Sequence, residues 1–184
     1  MVSLTTPSGQ LGWPAVPFSL AGIDGRRHTL ESVRGPHGTV VMFICNHCPY
    51  VKAIVDKIVR DMTELRGHGV GSIAVMSNDT AAYPDDSLEN MKGFAARHRF
   101  TFPYVIDETQ EVARAYGAIC TPDFFGFDRE LKLAYRGRLD ASGRSSDPTA
   151  ARELFDAMVA VARDEAAPSV QHPSIGCSIK WKAG

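Results

Sequence analysis

Val40-Val41-Met42-Phe43-Ile44-Cys45-Asn46-His47-Cys48-Pro49-Tyr50-Val51 runs from an unbroken apolar segment into two cysteines three positions apart and then into a new periodicity. Val40 to Ile44 is β-branched and aromatic, short and uninterrupted, which predicts a strand buried on both faces. Beyond the cysteines Val51, Ile54, Val55, Ile58, Met62 and Leu65 recur every three or four residues. Lys52, Asp56, Lys57, Arg60, Asp61 and Glu64 lie between them, so an amphipathic helix is expected, stopped by Gly67. The two cysteines therefore fall at a strand's carboxyl end and a helix's amino end.

That position has chemical consequences. Unpaired N–H groups and the positive end of the helix dipole favour an anion there, so a thiol in the first turn ionises more readily than a free one. Pro49 suits the first helical position, having a preset φ and no N–H to leave unpaired. A thiolate with a second thiol one turn away can attack a disulfide, form a mixed disulfide and be released when its neighbour attacks in turn. His47, when protonated, would stabilise a thiolate further. The expectation is that Cys45 is the more acidic and more accessible thiol, with Cys48 under the first helical turn.

The 184 residues carry a formal net charge of −1 and no basic cluster interleaved with aromatics, which argues against nucleic acid as a partner. No segment approaches the roughly 20 apolar residues of a membrane span, and residues 1–10 have neither a basic nor an apolar targeting region, so a cytoplasmic protein with no membrane partner is expected. In a reducing compartment C-x-x-C reads as redox-active or metal-binding rather than as a staple.

Outward from the decisive stretch, Phe18-Ser19-Leu20 and His28-Thr29-Leu30 flank Asp24-Gly25, a hairpin signal, while residues 1–14 read as surface cover. Ser72 to Met76 is a second buried strand, giving a right-handed βαβ unit. An inserted segment follows: a helix start at Pro84-Asp85-Asp86-Ser87 with Leu88, Met91, Phe94 and Ala95 inward, a strand over Phe102–Ile106, and a helix over Thr109–Tyr116 stopped at Gly117. Cys120 to Asp128 is a strand opening on a proline, paired with Leu131–Tyr135 across Asp128-Arg129-Glu130. Ser146-Asp147-Pro148 starts a last helix, with Ala151, Leu154, Phe155, Met158 and Val161 inward. Without repeat or linker, residues 1–184 read as one α/β domain, a mixed sheet with helices on both faces, with a tail from about residue 168.

A buried strand ending in C-x-x-C at a helix start, a second βα, X-Pro opening an antiparallel hairpin and a final helix resemble the thioredoxin-like fold. The Phe18-Ser19-Leu20/Asp24-Gly25 hairpin and the inserted βα are similar to the redoxin branch, the alkyl hydroperoxide reductase/thiol-specific antioxidant (peroxiredoxin-like) proteins. The runs C-N-H-C-P-Y-V, S-N-D, C-T-P-D-F-F and G-C-x-I-K-W look like a subgroup of it. The resemblance implies Cys45 as attacking thiol, Cys48 as resolving thiol, and a cis Pro122 with Thr121 beside it where a substrate strand can pair. It also implies an antioxidant oxidoreductase acting on a protein or small-molecule disulfide or a peroxide, with thioredoxin or glutathione as external reductant. Laid with its cysteine on Cys48, the peroxiredoxin pattern P-x-x-x-T-x-x-C puts Val41 at the proline and Cys45 at the threonine.

The function so read is a thiol–disulfide oxidoreductase; the alternatives are a peroxiredoxin-like thiol peroxidase and, outside enzymes, a copper-binding carrier in which His47 or His172 joins the two cysteines. Zinc is disfavoured because Cys120 and Cys177 are isolated in sequence, so no metal is assigned. No G-x-G-x-x-G lies at a strand-to-helix turn, so no nicotinamide or flavin cofactor is expected. Cys120 reads as a small buried apolar residue or as a thiol within reach of the dithiol. Cys177 reads as a thiol on a mobile tail or, if Ile179 and Trp181 dock that tail, as an additional resolving thiol. Arg136 and Arg138 read as surface charges.

Overall fold

Alternation within Val40–Ile44 decides where both cores form, because successive side chains of a strand point to opposite faces. Val40, Met42 and Ile44 pack into one apolar cluster, and Val41 and Phe43 into another. The computed structural model describes residues 2–145 and 147–183. In chain order these residues form β1 (Ser3–Thr5), β2 (Ser19–Gly22), β3 (Arg27–Thr29), α1 (Leu30–Val33), β4 (Gly38–Phe43), α2 (Pro49–Gly67) and β5 (Val70–Met76). A 3-10 turn (Pro84–Asp86) follows, then α3 (Leu88–Arg97), β6 (Tyr104–Ile106), α4 (Glu111–Tyr116), β7 (Cys120–Thr121), β8 (Asp123–Phe127), β9 (Leu133–Gly137), α5 (Glu153–Ala162) and β10 (Ile175–Ser178).

Among the described residues the main sheet has the order β3-β2-β6-β5-β4-β8-β9. β4, β5 and β6 are parallel neighbours, while β2–β3, β2–β6, β4–β8 and β8–β9 are antiparallel. This is the mixed sheet expected from the sequence. β4 lies between β5 and β8, which explains its fully buried run. Val51, Ile58, Met62 and Leu65 of α2, Met91 of α3, and Leu154, Ala157 and Met158 of α5 cover one face. Leu30, Ala113 and Tyr116, from α1 and α4, cover the other with Phe125 and Phe127. Each fully buried aliphatic or aromatic side chain contributes roughly 1.5–3 kcal/mol, so this double core is the main source of stability.

Three local features differ from the sequence reading. The strand over Cys120–Asp128 divides at Pro122, which has no N–H for a ladder and follows a cis peptide bond. α5 begins at Glu153 rather than near Asp147, whose carboxylate instead accepts from the amide and hydroxyl of Thr149 in a local turn; Ser146, the other residue expected to start that helix, lies outside the described residues. The ends of the chain are also built in. β10 pairs antiparallel with β1 on one side and with β7 on the other, a small second sheet that polar, turn-rich flanks do not announce.

Candidate active site

The C-x-x-C sits where the strand–helix reading put it. β4 ends at Phe43, Ile44 still donates its amide to the Val75 carbonyl, and Cys48 is the N-cap of α2 with Pro49 in the first turn. A second element closes over the sulfurs. Thr121 brings its hydroxyl to 3.3 Å from Cys45 Sγ and its carbonyl oxygen to 3.1 Å from Cys48 Sγ. The Thr121–Pro122 bond is cis, as the resemblance implies. The third element is β10, which lays Cys177 Sγ 3.0 Å from Cys48 Sγ. Cys45, Cys48 and Cys177 are 1%, 0% and 3% exposed, so the three sulfurs are sealed together.

The two thiols differ in the opposite sense to the sequence expectation. Cys48 is pulled down to about 5, first by the neighbouring Cys45 thiol, against the cost of burial, and then by the Cys177 thiol, whose sulfur is 3.0 Å away. The Thr121 carbonyl, 3.1 Å away, favours a protonated Cys48 and opposes this shift. Cys45 is pushed well up, first because its proton is committed to Cys48, then by burial and by the negative charge of Asp86. Greater acidity at Cys45 is therefore corrected for this closed arrangement, and greater exposure with it. Cys48 is the N-cap residue of α2 and lies beside Cys177, whereas Cys45 lies before the helix.

His47 is held by a residue the sequence reading used only as part of a helix start. Asp86, fully buried, places Oδ2 2.6 Å from His47 Nδ1 and also accepts from the Asn46 amide and from Asn78 Nδ2. The Asp86 hydrogen bond raises the His47 pKa, so the imidazole carries charge more readily than a free one. The His47 ring lies parallel to Tyr83 at 6.0 Å between centroids. Asn46 Oδ1 accepts from the Tyr104 hydroxyl at 3.0 Å. Both central residues of the motif are thus fixed by the segment between β5 and β6. Two adjacent carboxylates ahead of Ser87 were the available signal, since Ser87 alone suffices to cap α3.

Asn78 extends this network to the tail. Its amide nitrogen donates to Asp86 while its oxygen accepts from the Lys180 backbone at 2.8 Å. The Lys180 carbonyl accepts from Asp79 N and from Gln110 Nε2, and Gln110 Oε1 accepts from Lys182 N. Ile179 is buried and the Arg114 guanidinium lies 4.3 Å from the Trp181 ring, so the tail is docked and the mobile-tail reading of Cys177 is set aside.

Other candidates resolve differently. Cys120 is fully buried and burial raises its pKa; its sulfur is 4.0 Å from the Pro122 carbonyl, so it packs as a small apolar residue. Arg136 is not a surface charge. It is buried, bridges Asp123 at 2.9 Å and the Gly117 carbonyl at 2.8 Å, and stacks 4.4 Å over Phe125. Arg138, partly exposed, pairs with Glu153 at 2.7 Å. Among the described residues, the one group of three with metal-ligand atoms close together is Cys45, His47 and Asp86, within 4.8 Å. It substitutes a hard carboxylate for a soft ligand and omits His172, which is bonded to Glu153, so the copper reading gains no support from it. No helix among the described residues is long and apolar enough to cross a membrane.

Comparison with known proteins agrees with this architecture. The AhpC/TSA family model matches residues 11–136, from ahead of the hairpin to the penultimate residue of β9. A conserved protein of uncharacterized function from Geobacillus kaustophilus is 46% identical and superposes with a TM-score of 0.96, covering 100% of this chain and 98% of that one. A hypothetical protein from Sinorhizobium meliloti 1021 is 36% identical with a TM-score of 0.93, covering 98% and 99%. The thiol-disulfide oxidoreductase ResA of Geobacillus thermodenitrificans (strain NG80-2) is 28% identical over 130 residues, 67% of this chain and 66% of that protein's own length. With more than half of its residues inside the family match and its mixed sheet arranged in the thioredoxin-like manner, the chain belongs to the AhpC/TSA family of redoxins.

Proposed function

We propose that this oxidoreductase is a thiol–disulfide exchanger whose redox centre is the Cys45–Cys48 pair, in a single cytoplasmic domain that draws electrons from an external thiol such as thioredoxin or glutathione. The observation that carries the reading is the placing of the Cys45–Cys48 pair at the start of α2 under the Thr121–Pro122 cis bond, with Thr121 Oγ1 3.3 Å from Cys45 Sγ and Thr121 O 3.1 Å from Cys48 Sγ, where Cys48 is pulled down to about 5. Stabilising the thiolate stabilises the dithiol state relative to the disulfide, which makes the disulfide a better oxidant.

In the reaction Cys45 attacks a substrate disulfide and passes its proton to the Cys48 thiolate, the nearest base. One substrate sulfur leaves as a thiolate and takes that proton. Cys48, ionised again, attacks Cys45 Sγ and expels the second substrate sulfur. The products are a Cys45–Cys48 disulfide and two reduced substrate sulfurs. Cys45 is assigned the attacking role because Cys48 Sγ is already engaged by the Thr121 carbonyl and Cys177 Sγ, whereas Cys45 Sγ meets the Thr121 hydroxyl. Thr121 and Pro122 flank the pair as the substrate edge, which β10 occupies in this closed arrangement and must vacate for a substrate strand to pair there.

The test is reduction of a protein disulfide by stoichiometric reduced enzyme. Wild type should consume one disulfide per chain, Cys48→Ser should stop at a mixed disulfide on Cys45, and Cys45→Ser should lose at least 100-fold in rate, in line with removal of the attacking nucleophile. Full activity in Cys45→Ser would sink the assignment.

A further inference from the structure

We propose that Cys177 is a third redox thiol, which takes the disulfide over from Cys45 to give Cys48–Cys177, and that β10 is a built-in occupant of the Thr121 edge. The inference rests on the dithiol reading above and adds where the oxidised pair comes to rest.

The tail is constructed to deliver this sulfur. Three adjacent register positions pair β10 with β1, Ser3 opposite Cys177, Leu4 opposite Gly176 and Thr5 opposite Ile175. On the other side Cys177 stands opposite Thr121 and Ser178 opposite Cys120. Gly176 makes the close approach feasible: a Cβ there would lie 2.0 Å from the Thr121 carbonyl oxygen, a clash with backbone that nothing flexible can relieve. Downstream, Ile179 donates to the Ile119 carbonyl at 2.9 Å and Lys180 is clamped by Asn78, Asp79 and Gln110. The result is a sulfur 3.0 Å from Cys48 Sγ with strand pairing on both sides of it. Cys120, the other thiol near Thr121, turns its sulfur toward the Pro122 carbonyl instead.

The step is an internal thiol–disulfide exchange that needs no outside oxidant. Once Cys45–Cys48 has formed, the Cys177 thiolate attacks Cys48 Sγ, the Cys45–Cys48 bond breaks, and Cys45 leaves as a thiolate that takes up the proton Cys177 released. One disulfide is consumed and one is made. Burial raises the Cys177 thiol to about 12 with help from the Cys48 thiolate beside it, while the Lys180 ammonium opposes the rise. Engaging Cys48 in a disulfide removes its charge and leaves Lys180 in place, so Cys177 ionises more easily after the first disulfide has formed. The exchange pins the tail covalently over the site and returns Cys45 to the free thiol state.

The experiment oxidises the full-length chain with diamide, blocks free thiols with N-ethylmaleimide and maps the disulfide by non-reducing peptide mass analysis. In wild type, Cys45 should be blocked and Cys48–Cys177 found as the main bridge. Cys45→Ser should still form that bridge, and Cys177→Ser should hold Cys45–Cys48 instead. Cys177 remaining fully blockable in both wild type and Cys45→Ser would overturn the proposal. Failure of the dithiol reading has a separate signature, namely no Cys45–Cys48 bridge in Cys177→Ser. Because wild type alone carries the primary outcome, a poorly folded variant cannot mask it.

Discussion

His47 Nδ1 lies 2.6 Å from Asp86 Oδ2, joining the centre of the C-x-x-C to a fully buried carboxylate supplied by the 3-10 turn between β5 and α3. Asp86 is lowered despite burial because His47 and Asn78 donate to it, and His47 is raised for the reciprocal reason. Each partner thus favours the charged form of the other.

The first prediction follows from that pair. The raised His47 pKa means its stabilising contribution is complete below the ordinary imidazole value and fades as pH rises through the raised one. His47→Gln should therefore cost about 1.5–3 kcal/mol at pH 6, the range for a hydrogen bond to a charged group, and less at pH 9. Urea unfolding at the two pH values measures the difference. A cost that grows with pH would show that the imidazole is held neutral.

The second prediction concerns the thiolate. Absorbance near 240 nm, titrated in the reduced protein, should show one thiolate forming with a midpoint near 5, assigned to Cys48 by its loss in Cys48→Ala. Cys177→Ala removes one thiol donor and should move that midpoint upward. An unchanged midpoint would mean that the tail sulfur does not stabilise the thiolate.

The third prediction is slow peroxide consumption. Val41 and Cys45 occupy the places of the proline and threonine in the peroxiredoxin pattern, so groups that would polarise the O–O bond there are missing, although an accessible thiolate still oxidises to sulfenic acid. Stopped-flow measurement should give a rate constant several orders of magnitude below the diffusional range of about 10⁸ M⁻¹s⁻¹. A rate approaching that range would make the protein a dedicated peroxidase.

The fourth prediction tests the Arg136–Asp123 pair beside Pro122. Burial lifts Asp123 to about 7 although Arg136 opposes it, and Asp123 Oδ1 and Arg136 Nε lack hydrogen-bond partners among the described residues. Arg136→Met leaves a carboxylate buried without its cation, which should cost about 3–5 kcal/mol near neutral pH. Asp123 titrates at about 7 with Arg136 present and higher without it, so the loss should be largest above pH 7 and shrink as pH falls from 9 through 7 toward 6. Denaturant midpoints across that interval check both magnitude and sign.

The sequence carried the main sheet because its signals were local. Val40–Ile44 could only be a two-face-buried strand, the α2 periodicity was complete from Val51 to Leu65, and Asp24-Gly25 marked the hairpin. What it did not carry was set by pairing between distant segments. Ser3–Thr5 and Ile175–Ser178 are too short and polar to read as strands alone and become strands by lying beside each other and beside Thr121. The same holds within the site. Cys45, His47 and Cys48 are contiguous in sequence, whereas Asp86, Asn78 and Cys177 reach them through folding, and the acidity order of the two motif cysteines depends on those late arrivals. Arg136 was misread because its partner Asp123 lies across a β-hairpin behind a proline.

The central claim, that Cys45 and Cys48 form a reversible redox centre, is tested most directly by equilibrating Cys177→Ser with a series of reduced and oxidised glutathione ratios and counting blocked thiols by mass. The account predicts the joint loss of the Cys45 and Cys48 thiols in one two-electron transition, more oxidising than the roughly −270 mV of thioredoxin because the Cys48 thiolate is stabilised. Independent titration of the two cysteines, each as a glutathione adduct with no Cys45–Cys48 bridge at any ratio, would contradict it.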